Sequence, residues 1–108
     1  MERRLFVLQR VTAMILAPLV LVHLGLVLVA IRGGLTAAEI LGRTQGSVGW
    51  ALFYGLFVLA AAVHAPIGLR NVLREWTPLP RRALDWLSLA VGLLLLVLGL
   101  RAVLAVVA

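Results

Sequence analysis

The side chain best placed to do chemistry is His64, in the stretch His64-Ala65-Pro66-Ile67-Gly68-Leu69-Arg70-Asn71-Val72-Leu73-Arg74-Glu75-Trp76. That stretch begins inside a long apolar run and ends in the most charged part of the chain. On a helix, the six residues from His64 to Arg70 put the histidine roughly 9 Å deeper. An ionisable ring in hydrocarbon is costly and marks a functional site by default. Ala60, Ala61, Ala62, Ala65 and Gly68 are small, so a bulky group could approach the backbone around it. A histidine in a roomy apolar site is what haem iron requires of an axial ligand. The plainer reading, a membrane histidine hydrogen-bonded to a neighbouring helix, fits the same residues.

Two further residues have chemical possibilities. His23 is the only other histidine, and Arg10 lies 13 residues before it. At 100° per residue they point about 140° apart, so they serve different neighbours. His23 reads as a packing histidine, with ligation of a second haem as the alternative. Arg10 reads either as an interfacial arginine or as a partner for an anionic or carbonyl oxygen. There is no cysteine, which excludes disulfides, thiolate-held iron–sulfur clusters and covalent haem attachment within this chain. No nucleophile with a base and no carboxylate pair is apparent, so the chain alone is not expected to catalyse bond chemistry.

The elements that must position these residues are membrane helices. Of 108 residues, 64% are hydrophobic. They fall in three runs, 11–31, 48–69 and 84–107, each near the ~20 residues that cross a bilayer. The expected fold is all-α: one integral membrane domain, 1–108, with three transmembrane helices. The first run is too long for a cleavable signal peptide and reads as a span. Residues 1–10, with Arg3, Arg4, Arg10 and one acid, Glu2, form an interfacial lead-in. Pro18 is expected to bend the first span. Thr36 with Glu39 three residues later is a capping-box pattern, predicting a short surface helix over about 37–42. Thr77-Pro78-Leu79-Pro80 ends the second span. In the third, Ser88, Gly92 and Gly99 suit close helix packing.

The net charge of +6 would suggest nucleic acid in a soluble protein, but here it sits at the helix ends. Seven arginines (3, 4, 10, 70, 74, 81 and 82) belong to one side and three (32, 43 and 101) to the other. The positive-inside rule then puts the N-terminus in the cytoplasm. Arg70, Arg74, Arg81 and Arg82 read as this positive cluster, which could also meet anionic lipid or a soluble subunit. Trp50, Trp76 and Trp86 fall at the membrane interfaces.

Leu8-Gln9-Arg10-Val11-Thr12-Ala13, followed by the His64–Trp76 stretch, resembles the cytochrome b membrane-anchor subunits of succinate dehydrogenase and fumarate reductase, of the small hydrophobic type. Those anchors carry Arg-x-Thr/Ser in the first helix and His-x-x-x-Gly leading to an acid–aromatic pair in the second. The resemblance covers essentially the whole chain and implies a subunit of a multi-chain helical bundle in the bacterial cytoplasmic membrane. It implies flavoprotein and iron–sulfur subunits as partners, haem b as cofactor and quinone as electron acceptor. By the same resemblance His64 is the axial ligand, with Gly68 one turn on beside the haem. Arg10 lies near the haem propionates and quinone, and Glu75 and Trp76 stand where the family has an Asp-Tyr pair at the quinone. The departures are Trp76 for tyrosine, Phe6 for a quinone-contacting serine, and Asn71 for a histidine or glutamine.

Bis-histidine ligation needs two rings at one depth. Because the first two spans run antiparallel, His23 is expected about 10 Å deeper than His64. A second anchor chain, a related subunit or another copy, is therefore expected to supply the second ligand. The competing readings are a haem-free anchor of a related dicarboxylate dehydrogenase, and a non-redox membrane transport or assembly protein with His64 and Arg10 along a polar path. The third span counts against transport, since it offers no polar row.

Overall fold

The computed structural model describes residues 3–108, and their regular structure is helical. Glu2, the acid of the N-terminal lead-in, lies outside the described residues. Four helices follow in order: α1 (Arg3–Gly33), α2 (Ala37–Thr44), α3 (Val48–Trp76) and α4 (Arg81–Val107). Three of them, α1, α3 and α4, are long and apolar enough to cross a membrane. The molecule is 48 Å long, close to the ~40–45 Å of a bilayer with its headgroups. It is a multi-pass helical membrane protein.

The middle span in sequence is also the middle one in space, since α3 packs on both α1 and α4. Its apolar window is 22% buried against 6% for α1 and α4, whose remaining surface is left for lipid or other chains. Small residues on α4 set the α3–α4 distance. A Cβ built on Gly92 would lie 3.2 Å from the Ala62 carbonyl oxygen, and one on Gly99 would lie 2.5 Å from a Val58 methyl. Ala62 is four residues before Pro66, which has no N–H to return to it. Gly92 therefore packs against a carbonyl that its own helix leaves unpaired. Pro18 and Pro66 both sit inside continuous helices.

The connections are held by short polar contacts. Thr36 accepts from the Glu39 backbone N–H at 3.2 Å, the first half of the expected capping box, while its hydroxyl donates to Glu39 Oε1 at 2.8 Å. The helix it starts, α2, runs two residues past the expected end. Gly34 and Gly46 take φ of 130° and 76°, which suits glycine at both turns. The end of α2 and the turn after it close the end of α4: Thr44 donates to Val106 O at 2.6 Å and the Gly46 N–H to Val107 O at 2.8 Å. The last carbonyls of α4, which have no partner within their own helix, are satisfied this way.

Candidate functional site on the α1–α3 seam

The polar residues of α1 and α3 meet along one line. Gln9 and Thr12 are three residues apart on α1; His64, Gly68 and Asn71 follow i, i+4, i+7 on α3. The antiparallel packing sets Thr12 opposite His64 and Gln9 opposite Gly68. Thr12 Oγ1 lies 3.2 Å from His64 Nδ1. A Cβ on Gly68 would lie 3.3 Å from Gln9 Nε2, so the glycine makes room for the amide. Thr12 is buried, while Gln9, His64 and Asn71 are half-buried. The side-chain amide oxygens of Gln9 and Asn71, Oε1 and Oδ1, are both shielded from solvent and without a hydrogen-bond partner. Two buried acceptors lacking donors beside a ring with a free nitrogen fit a bound group that carries hydrogen-bond donors or arrives with ordered water.

Three of the expected site residues lie elsewhere. Arg10 is exposed, two residues and 200° around α1 from Thr12, and its guanidinium carbon lies 5.7 Å from the centre of the Phe6 ring. It therefore occupies the flank of α1 turned away from His64. Glu75 and Trp76 are exposed at the end of α3. Trp76 is eight residues beyond Gly68, roughly 12 Å further along the helix. These groups stand on the Arg-rich end of the molecule without touching His64.

His23 belongs to a different environment at the other end of the bundle. Its ring meets Phe57 edge-on at 5.4 Å and Tyr54 at 6.3 Å between centroids. Trp50 and Phe53 extend the same aromatic group. Tyr54, Phe57 and His23 border a cavity of about 290 Å³ that reaches α4 at Gly99 and Val103. His23 lies eleven residues past Thr12, so roughly 16 Å of helix separates it from the level of His64. Among the described residues no three His, Asp or Glu side chains gather as a metal site. A metal bound here would rest on one histidine of this chain and on groups from outside it.

Arg70 departs from the solvated positive cluster expected for it. It is buried on α3, and its Nε donates to Asp85 Oδ1 of α4 at 2.9 Å. Together with Ser88, Ala62 and Pro66 the pair lines a cavity of about 440 Å³ between α3 and α4. Sequence reasoning passed over Asp85, and it saw Thr12, Gln9 and Asn71 only as parts of motifs. The signal it had was their i+3 and i+4 spacing, which marks polar stripes on the two helices.

The chain matches the family model of the succinate dehydrogenase/fumarate reductase transmembrane subunit over residues 2–99. It belongs to that family. No curated protein and no solved structure matches it significantly.

Proposed function

We propose that this chain is a membrane anchor of a succinate:quinone oxidoreductase, that His64 is an axial ligand of haem b, and that the Arg-rich end forms part of a quinone site. The flavoprotein and iron–sulfur subunits would dock on that end, at the cytoplasmic face of a bacterial inner membrane. One observation carries the haem reading: His64 stands in the α1–α3 seam with Nδ1 engaged by Thr12, leaving Nε2 for a ligand. Family membership and the seven-to-three arginine distribution support the anchor role and its orientation.

Each residue then has a limited task. His64 would hold the iron, and the ~16 Å of helix between its level and His23 favours a second ligand from another anchor chain. The alanines near His64 keep this stretch of α3 slim, as the approach of a wide, flat group would need, while the room at Gly68 is taken by the Gln9 amide. When bound, haem b supplies a one-electron store close to the path from the iron–sulfur partner to quinone. Trp76 donates its indole N–H to a quinone carbonyl, and Arg10 offers a charged donor fork on the outer flank of α1. Glu75, exposed beside Trp76, keeps water at the place where a reduced quinone must take up two protons. The chain itself makes and breaks no carbon bond; it binds, orients and insulates.

The test is a reduced-minus-oxidised visible spectrum of the purified complex, with the co-purifying subunits identified. A haem b spectrum that His64→Ala removes supports the reading. A complex that reduces quinone with no haem in the wild type returns the chain to a haem-free anchor. Absence of any dehydrogenase subunits overturns the anchor role.

A further inference from the structure

Thr12 Oγ1 is close to three groups: the Leu8 carbonyl at 2.7 Å, the Gln9 carbonyl at 3.2 Å and His64 Nδ1 at 3.2 Å. A hydroxyl has one proton and two lone pairs. Threonine in a helix gives that proton to the carbonyl one turn back, and here that contact is the shortest of the three. Both carbonyls can only accept, so the proton is committed to them. What Thr12 turns toward His64 is a lone pair, and the ring must donate. Nδ1 therefore carries the hydrogen and Nε2 carries the free electron pair.

We propose that Thr12 is the positioning residue of this site: it holds His64 as the Nδ1–H tautomer, with the Nε2 lone pair reserved for haem iron. The iron half rests on the axial-ligand reading above; the tautomer half does not. The tautomer of a histidine is set by the hydrogen bond its other nitrogen makes, and ring orientation follows with it. In this seam the fix is rigid, because Thr12 is buried and β-branched and its own hydrogen bond closes within α1. An acceptor on Nδ1–H also makes the ring a better electron donor through Nε2. A neutral hydroxyl does so less than a carboxylate would, so Thr12 tunes the ligand gently and brings no second charge into hydrocarbon.

The test begins without haem. The full chain is labelled with ¹⁵N-histidine, placed in phospholipid bilayers, and compared with His23→Ala to assign His64. The ring nitrogen shifts then read the tautomer directly. The expected result is Nδ1–H in the wild type and in Thr12→Ser, and a shift toward Nε2–H in the isosteric Thr12→Val. A wild-type ring protonated on Nε2, or a tautomer unmoved in a folded Thr12→Val, overturns the proposal. The second arm uses the assembled complex. Thr12→Val should weaken haem retention by about 10- to 100-fold, the usual effect of losing an outer partner of a metal-bound histidine. It should also raise the midpoint potential of the haem that remains, with Thr12→Ser restoring both. Unchanged potential and retention overturn the iron half. If His64→Ala keeps its haem, the axial reading fails on its own, and the nitrogen shifts still decide the role of Thr12.

Discussion

Arg70 of α3 is tied to Asp85 of α4 by a 2.9 Å bond from Nε to Oδ1, but the two ends of the bond are unequal. The side chain of Arg70 is 7% exposed and that of Asp85 58%. The carboxylate can fall back on water, whereas the guanidinium has been taken out of it. Breaking such a pair therefore costs most when the buried member is left behind.

This asymmetry gives the first prediction. Asp85→Ala should destabilise the chain by about 1.5–3 kcal/mol, the range for a hydrogen bond to a charged group. Arg70→Met keeps much of the apolar stem and leaves only an exposed carboxylate, so it should cost less. Denaturant titration in detergent micelles measures both. If Arg70→Met proves the more damaging change, the buried guanidinium has another partner that matters more than Asp85.

The α3–α4 contact gives the second. Gly99→Ala drives a Cβ to within 2.5 Å of a Val58 methyl and should cost about 1–3 kcal/mol as overpacking. Val58→Ala removes that methyl, so the double variant should recover most of the loss. Gly25 meets nothing within 4 Å, and Gly25→Ala should be close to neutral. Equal effects at Gly25 and Gly99 would show that the α3–α4 approach does not set the cost, since helix propensity alone makes Gly→Ala a gain at both sites.

Much of this fold was legible in the sequence because its signals are local. Twenty-residue apolar runs, the Thr36–Glu39 pair and the prolines after Thr77 each act within a few residues of themselves. The site was less legible, because its contacts depend on how α1 and α3 slide past each other. Thr12 and His64 are 52 residues apart, and their meeting fixes a register that periodicity alone does not carry. The same holds for Arg70. It sits in a run of arginines that reads as solvated until Asp85, fifteen residues on, folds back beside it. Arg10 shows the limit differently. Its angle to Thr12 follows from helix geometry, but which of the two faces α3 becomes known only once the helices are packed.

Arg10 gives the third prediction. Its guanidinium stands on the outer flank of α1 over Phe6, apart from His64. In the proposed quinone role, Arg10→Leu should slow quinone reduction by about tenfold or more, from losing a charge-assisted hydrogen bond of ~1.5–3 kcal/mol. Dye-linked dehydrogenase activity and the haem spectrum should stay near wild type. Unchanged quinone kinetics would leave Arg10 as an interfacial arginine.

Orientation gives the fourth. Reporter fusions should put the N-terminus in the cytoplasm and the far end of α4 outside, as seven arginines against three require. An external N-terminus would move the Arg-rich end, and with it the proposed quinone site and docking face, to the wrong side.

His23 and His64 give the last prediction, which concerns whether one chain can hold haem by itself. A bis-histidine site needs two rings facing each other across one iron at one depth. Thr12 marks the level of His64 on α1, and His23 is eleven residues further, roughly 16 Å along the helix. His23 also has its own neighbours, with Phe57 at 5.4 Å and Tyr54 at 6.3 Å edge-on to the ring. Bringing it to the seam would mean sliding α1 by about three turns and stripping away both contacts. His23→Ala should therefore leave the haem spectrum of the complex nearly unchanged, while His64→Ala abolishes or shifts it. The second ligand should map to another anchor chain by the same alanine test. If that chain is a further copy of this one, one class of His64 variant should remove both ligands at once, and mixed wild-type and variant copies should give an intermediate spectrum. Loss of haem in His23→Ala, with this chain present in single copy, would show that both ligands come from one chain and that the bundle rearranges around haem.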